Sequence, residues 1–438
     1  MGNRYSWLNK LILLLIPAGL CHPASALTFQ GIADYSLALR TGGGDIQKSE
    51  LIVTPRWDFN LSESTRSTLI LRSRADAVDT LAPGQPTQPS RSHWNRRAYL
   101  GSHADLELRE LYIDATLEDT YIRLGKQQVV WGQADGLRVL DVLNPIDYRE
   151  FILPDVDDRR IPLWMLNLET PLGVGMLQWV LIADQTYDQL PASDAAFAFS
   201  SPLLVPSAPS NVPVTLVDYD RPKKPLQDAD TGVRWKGFVG GWDLSLNYLY
   251  HYQDQAVFYL SQSQNSVRVS PTYERSHLVG VTASNAFGDF AFRGELGYST
   301  DRYWVADPSQ DDNGVDASPE LAYVIGIDYS GLTDTFLSFQ LFQSHLTEPA
   351  SSVVRDQTTT QITALARHNL LNEALALEAF VIHGLNQDDG LVQLKARYQI
   401  SSALSGRVGA DLFYGDSDGL FGQFRPANRV HAGLSYAF

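Results

Sequence analysis

Within Trp131–Arg160, which reads WGQADGLRVLDVLNPIDYREFILPDVDDRR, stand seven acids: Asp135, Asp141, Asp147, Glu150, Asp155, Asp157 and Asp158. Four arginines accompany them: Arg138, Arg149, Arg159 and Arg160. Carboxylates and guanidiniums in such density suit either proton transfer or the electrostatic handling of a polar solute. Proton transfer lacks companions. The sequence contains no G-x-S-x-G, H-E-x-x-H or phosphate-loop pattern, and His251, His277, His345, His368 and His383 stand in no nucleophile motif. Asp311, Asp312, Asn313 and Gly314 make half a calcium loop, but no glutamate follows at the required spacing, so neither a metal nor another cofactor is expected. The charged segment is also apolar, with Leu137, Val139, Leu140, Val142, Leu143, Tyr148, Phe151 and Ile152. Such a loop must pack against something, and the flanking elements decide what.

Those elements alternate with period two. Trp242, Leu244, Leu246, Tyr248, Tyr250 and Tyr252 share one face, against Asp243, Ser245, Asn247, His251 and Gln253. Leu321 to Tyr329 and Val392 to Ile400 repeat the pattern, which belongs to strands rather than helices. Eighteen strands are predicted, with fourteen as a lower bound: 27–40, 48–62, 66–79, 106–117, 119–130, 160–171, 173–184, 229–239, 241–254, 274–287, 289–303, 319–331, 333–346, 358–371, 374–385, 389–401, 403–416 and 428–438. Many have ten residues or more, enough for a tilted strand to cross a bilayer. Every second connection is a tight turn, and the others are mostly longer. A transmembrane barrel has this parity, with short turns on one rim and long loops on the other.

Two exclusions agree. After the N-terminal segment no run of eighteen apolar residues supplies a membrane helix, and in hydrocarbon the remaining way to satisfy every backbone group is a closed barrel. Residues 1–26 read as a signal peptide: Arg4 and Lys10, an apolar Leu11–Leu20, then Ala24-Ser25-Ala26. A lipoprotein anchor on Cys21 is the rival reading, but Leu20 stands where a small residue is needed. Residues 27–438 are then a single barrel domain without cysteine, which excludes disulfides and thiol chemistry. That segment has 32 basic and 50 acidic residues, a net charge of −18 that excludes nucleic acid as a partner. Val430, Ala432, Leu434, Tyr436 and Phe438 alternate to the end of the chain.

The barrel gives the charged segment its place. It is the third long loop, and the large concavity beside it is the lumen, so it is expected to fold inward. The opposite wall is expected to be basic. With Leu51, Val53, Trp57, Phe59 and Leu61 outward, Arg56 points inward beside Asp58; with Leu69 and Leu71 outward, so do Arg72 and Arg74. Arg123, Lys395 and Arg397 follow the same rule. A mid-membrane charge on the lipid face would cost about 2–4 kcal/mol, which favours the lumen. Loop acids facing wall arginines would set a transverse field across a constriction and discriminate solutes by charge. The same arginines also suit a plainer role, pairing with inward acids to stiffen the barrel. The loop 185–228, with seven prolines, reads as stiff extended chain and as a lid or a vestibule insert.

These features together resemble the large porins of Gram-negative outer membranes. Gly125–Phe151 (GKQQVVWGQADGLRVLDVLNPIDYREF) also resembles a segment of poorly characterised porin-like proteobacterial outer-membrane proteins, where a strand ends in Trp-Gly and leads to Asn-Pro, here Trp131, Gly132, Asn144 and Pro145. The resemblance implies passive diffusion of small solutes, eyelet acids between Asp135 and Asp158, a basic cluster on Arg56, Arg72 and Arg74, and a possible homotrimer. It also implies that the assembly machinery of the outer membrane reads Phe438, and that Trp131, Asn144 and Pro145 anchor the loop. Two other functions compete: a barrel that binds a partner protein for export or surface assembly, and an outer-membrane hydrolase.

Overall fold

The computed structural model describes residues 27–134, 136–206, 212–263 and 266–438. The expected signal peptide, residues 1–26, and Asp135 lie outside the described residues.

Eighteen antiparallel strands form the wall. They are β1 (Leu27–Arg40), β2 (Ile46–Asn60), β3 (Thr65–Asp76), β4 (Ala104–Leu117), β5 (Thr120–Gln127), β6 (Leu163–Leu172), β7 (Gly175–Ile182), β8 (Asp230–Val239) and β9 (Trp242–Tyr252). Then follow β10 (Arg275–Phe287), β11 (Phe290–Val305), β12 (Val315–Leu332), β13 (Thr335–Leu346), β14 (Thr358–Leu370), β15 (Leu375–Gly384), β16 (Asp389–Gln399), β17 (Leu404–Tyr414) and β18 (Arg429–Ala437). Each strand pairs with its sequence neighbours, and β18 returns to β1 in register from Ile32↔Ala437 to Arg40↔Arg429. The sheet is closed, so no edge is left to pair outside the protein. Gly31 and Phe438 exchange both backbone hydrogen bonds at the seam (2.7 and 2.9 Å).

Alternation sorts the side chains. On β9, Leu246 and Tyr248 are exposed on the outer face, while Ser245, Asn247 and His251 are buried inside. The loop parity follows turn chemistry. The β8–β9 turn is Gly240-Gly241, both at positive φ (59° and 89°), as a two-residue hairpin turn requires.

The strand ends differ from expectation beside the charged segment. β5 stops at Gln127 rather than 130, and β6 starts at Leu163 rather than 160. Val129 N–H donates to Asn144 Oδ1 and Ile161 N–H to the Pro145 carbonyl, so these residues leave the wall to close the loop on itself. Pro162 has no N–H for the ladder. Outside the wall, Val257–Ser263 and Ser266–Thr272 pair, and Val214–Leu216 joins them in parallel, as a small sheet above the long-loop rim.

Candidate functional site: a strap across the lumen

Residues 128–162 run from β5 to β6 by way of the barrel interior, touching inward side chains on both walls. The first half is held mainly by packing. Trp131, Val139, Leu140 and Leu143 bury against Leu163, Met165, Val180, Ile182, Leu249, Leu278 and Val324 of β6, β7, β9, β10 and β12. Three inward glycines make the sockets. A Cβ on Gly232 would stand 2.5 Å from the Trp131 ring, and one on Gly280 2.3 Å from Leu140 Cδ2; Gly297, paired with Gly280, also touches Leu140. Trp131 Nε1 donates to Gln178 Oε1 (2.8 Å). Glu295, a lone inward acid on β11, accepts the backbone N–H groups of Gln133, Ala134 (2.8 Å) and Leu140 (3.3 Å).

The Gly280 socket is testable. Gly280→Val is expected to displace Leu140 at a cost of about 1–3 kcal/mol, the usual penalty of overpacking. Thermal melting in detergent should fall by several degrees, and an unchanged melting temperature would remove the socket.

Asn144 closes the strap. Its Oδ1 accepts from Val129, its Nδ2 donates to the Ile161 carbonyl (3.0 Å), and its own carbonyl accepts from Arg138 (3.0 Å). Arg138 also bonds the Asp141 carbonyl, and Asp141 pairs with Arg160 (2.7 Å).

The second half is held by charge. Asp147 pairs with Arg97 and lies 3.9 Å from Arg91. Arg149 reaches Glu50 (2.7 Å) and Asp76 (3.4 Å), and Glu150 bridges Lys48 and Arg429 (both 2.7 Å). Burial raises the pKa of the Glu150 carboxyl, but Lys48, Arg429 and Arg149 outweigh it and hold the group well below the usual carboxylate range. Asp147 is depressed in the same way by Arg97 and Arg91. Arg72 donates to Glu107 (2.9 Å) and to the Asp158 carbonyl (3.0 Å). Arg109 donates to the Asp157 carbonyl (2.6 Å), and the Asp157 carboxylate pairs with Arg160. Asp155 is exposed, 3.8 Å from Lys395.

An aromatic cluster finishes the attachment. Phe151, at φ 51°, packs on Phe424 (4.5 Å between centroids), Phe421 (5.9 Å) and Phe199 (6.0 Å). Ile382, Leu391 and Phe413 back the cluster from β15–β17.

A cavity of about 490 Å³ remains between strap residues 147–159 and the wall made by β1–β3 and β16–β18. Of the residues singled out in the sequence, Arg72, Arg74, Asp147, Arg149, Glu150, Asp155, Asp158, Arg159, Lys395 and Arg397 line it. Arg56 and Arg123 do not. Arg56 closes on Asp58 (2.7 Å) and Arg123 on Asp114 (2.6 Å), each satisfied by a carboxylate of the wall. The charges are not segregated as expected either. The strap carries Arg149 to wall acids, and the wall meets Arg72 and Arg74 with its own Glu107, Glu50 and Asp105, so the two signs interleave. Sequence reasoning missed Lys48, Glu50, Arg429, Glu295 and the socket glycines. The signal available was an acid or a glycine at an inward position of an otherwise alternating strand.

Four of the five strand histidines singled out in the sequence bond hydroxyls, His277 with Tyr248 (2.9 Å), His345 with Thr358 (2.7 Å), His368 with Thr335 (2.8 Å) and His383 with Tyr414 (3.0 Å), and His251 is buried on β9. His383 also lies 3.5 Å from the exposed Asp388.

A family model described as a protein of unknown function (DUF1302) matches residues 71–383. No curated protein matches the chain. Among solved structures, OccAB2 of Acinetobacter baumannii is similar with a TM-score of 0.53 at 10% identity, covering 96% of this chain and 99% of that one. OccAB3 of the same organism has a TM-score of 0.52 at 9% identity, covering 95% and 100%. OpdK of Pseudomonas aeruginosa, solved with vanillate, has a TM-score of 0.50 at 10% identity, covering 94% and 98%. The likeness is one of fold, an eighteen-stranded porin barrel.

Proposed function

Because the chain belongs to the DUF1302 family, whose description assigns no activity, we propose its function from the lumen: an outer-membrane channel for passive diffusion of small solutes, narrowed by the strap 131–160. The observation that carries this reading is the 490 Å³ cavity left beside a lumen-crossing loop and lined by charged side chains. An eighteen-stranded barrel is wide enough for an aqueous path, and a loop attached on both sides narrows the path without sealing the wall.

The lining favours anions. Arg407 closes on Asp34 (2.5 Å), but Lys395 meets acids no nearer than 3.8 Å, and Arg397 has no carboxylate partner among the described residues. A cation without a carboxylate partner, as Arg397 is among the described residues, raises the local concentration of anions in a narrow passage. In planar bilayers with a salt gradient, the wild-type reversal potential is expected on the anion side, and Arg397→Glu should move it toward cations. Absence of any conductance from the reconstituted barrel would end the channel reading. A reversal potential unmoved by Arg397→Glu would end the anion preference alone.

A further inference from the structure

Lys223 and Lys224 are two of only six lysines beyond Lys10, they are adjacent, and they lie on a strongly acidic chain. They sit on one stretch of the long-loop rim, above β6–β8, together with Arg96 and Arg221. The ties are specific. Asn95 Nδ2 donates to Asp184 Oδ2 (2.9 Å), Arg221 to the Gln185 carbonyl (2.9 Å), and Gln185 Nε2 to the Pro225 carbonyl (3.3 Å). Asn95, next to Arg96, and Arg221 thus reach adjacent residues, Asp184 and Gln185. Arg96, Lys223 and Lys224 are exposed, and none makes an ion pair among the described residues. On the same rim Trp94 is 73% exposed and Leu226 79%. Trp94 stands on the outer side of the rim. Leu163 and Met165 point inward, so Trp164 between them points outward, and its Nε1 donates to the Trp94 carbonyl (3.2 Å). Below lie further outward aromatics, with Arg275 over Tyr250 and Tyr252 (4.4 and 4.0 Å).

We infer that Arg96, Arg221, Lys223 and Lys224, with Trp94 and Leu226 beside them, form a binding site for the phosphorylated, acylated glycolipid of the outer leaflet. The cations take the phosphates, and the two apolar side chains meet the acyl region. Charge and apolar contact act together at such a boundary, and neither alone holds a lipid firmly. The inference rests on the membrane placement proposed above and not on conduction, so a barrel that fails to conduct leaves it standing.

The test uses the full barrel in detergent, titrated with bis-phosphorylated lipid A and with its phosphate-free analogue, and read by native mass spectrometry. The wild type is expected to bind the phosphorylated form at least about tenfold tighter. Replacing Arg96, Lys223 and Lys224 by glutamine should abolish that difference while heat-modifiable migration shows an intact barrel. Lys223→Arg with Lys224→Arg should keep it, and serves as the readout if the triple variant fails to assemble, with Lys223→Gln and Lys224→Gln as its counterpart. Equal binding of the two lipids by the wild type, or undiminished preference in the glutamine variants, overturns the site. Complete displacement by millimolar inorganic phosphate overturns the lipid as its ligand.

Discussion

Excising residues 135–158 is expected to raise single-channel conductance by a factor on the order of three, because the strap is the material crossing an eighteen-stranded lumen at this level. The deletion is geometrically mild. Gln127 and Leu163, where the loop leaves and re-enters the wall, are register partners, so the shortened chain spans a hairpin that is already closed. It is not energetically neutral, since Leu249, Leu278 and Val324 lose the cover of Val139, Leu140 and Leu143, and Glu295 loses the Leu140 N–H. A lower melting temperature is therefore expected together with the larger conductance. Equal conductance from the deletion and the wild type, measured in the same bilayer and salt, would show that the strap does not narrow the path.

Glu150→Ala is expected to be the most damaging single substitution in the strap. It leaves Lys48 and Arg429 buried with one carboxylate partner fewer each, and removing one member of a buried charge network costs about 3–5 kcal/mol. Arg429 keeps Asp411 (2.7 Å) and Lys48 keeps Glu50 (3.2 Å), so the loss should loosen the strap rather than unfold the wall. Hydrogen exchange over 147–153 should accelerate by two or more orders of magnitude, about what 3 kcal/mol implies. The pH dependence has a definite sign. Glu150 is depressed in the folded state, so its contribution is present above the ordinary carboxylate range and is lost as pH falls through the depressed value. Wild-type exchange should stay slow through mildly acidic pH, and exchange in Glu150→Ala should be fast across that whole range. Matching exchange rates in the two proteins at neutral pH would remove Glu150 from the attachment.

The wall was legible because the membrane leaves few choices. Period-two runs such as Trp242–Tyr252 report which face meets lipid, and glycine pairs such as Gly240-Gly241 report where the chain turns back. The boundaries failed where tertiary bonds outbid the ladder, at Val129 and Ile161 on either side of the strap. The site was legible in its composition but not in its pairing. Alternation shows that Arg56 points inward beside Asp58 and that Arg72 points inward, but not that Glu107 and the strap meet Arg72. Glu295 and Gly280 look like ordinary strand residues until the loop on them is seen. Segment Trp131–Arg160 advertised its apolar content and its charges together. Only the fold shows that these serve opposite walls, the first half by packing and the second half by ion pairs.

The seam between β1 and β18 has a consequence for how the molecule comes into being. The partner of the first described strand is the last described one, so the most distant pairing among the described strands is the one that abolishes both open edges. Contacts this remote in sequence form slowly, because loop closure must precede any reward. Until then every intermediate presents two unpaired strand edges, the usual templates for aggregation. The nascent barrel is therefore a molecule that must be shielded until it closes: a chain stopped one hairpin short would have nearly the whole wall and still expose both edges.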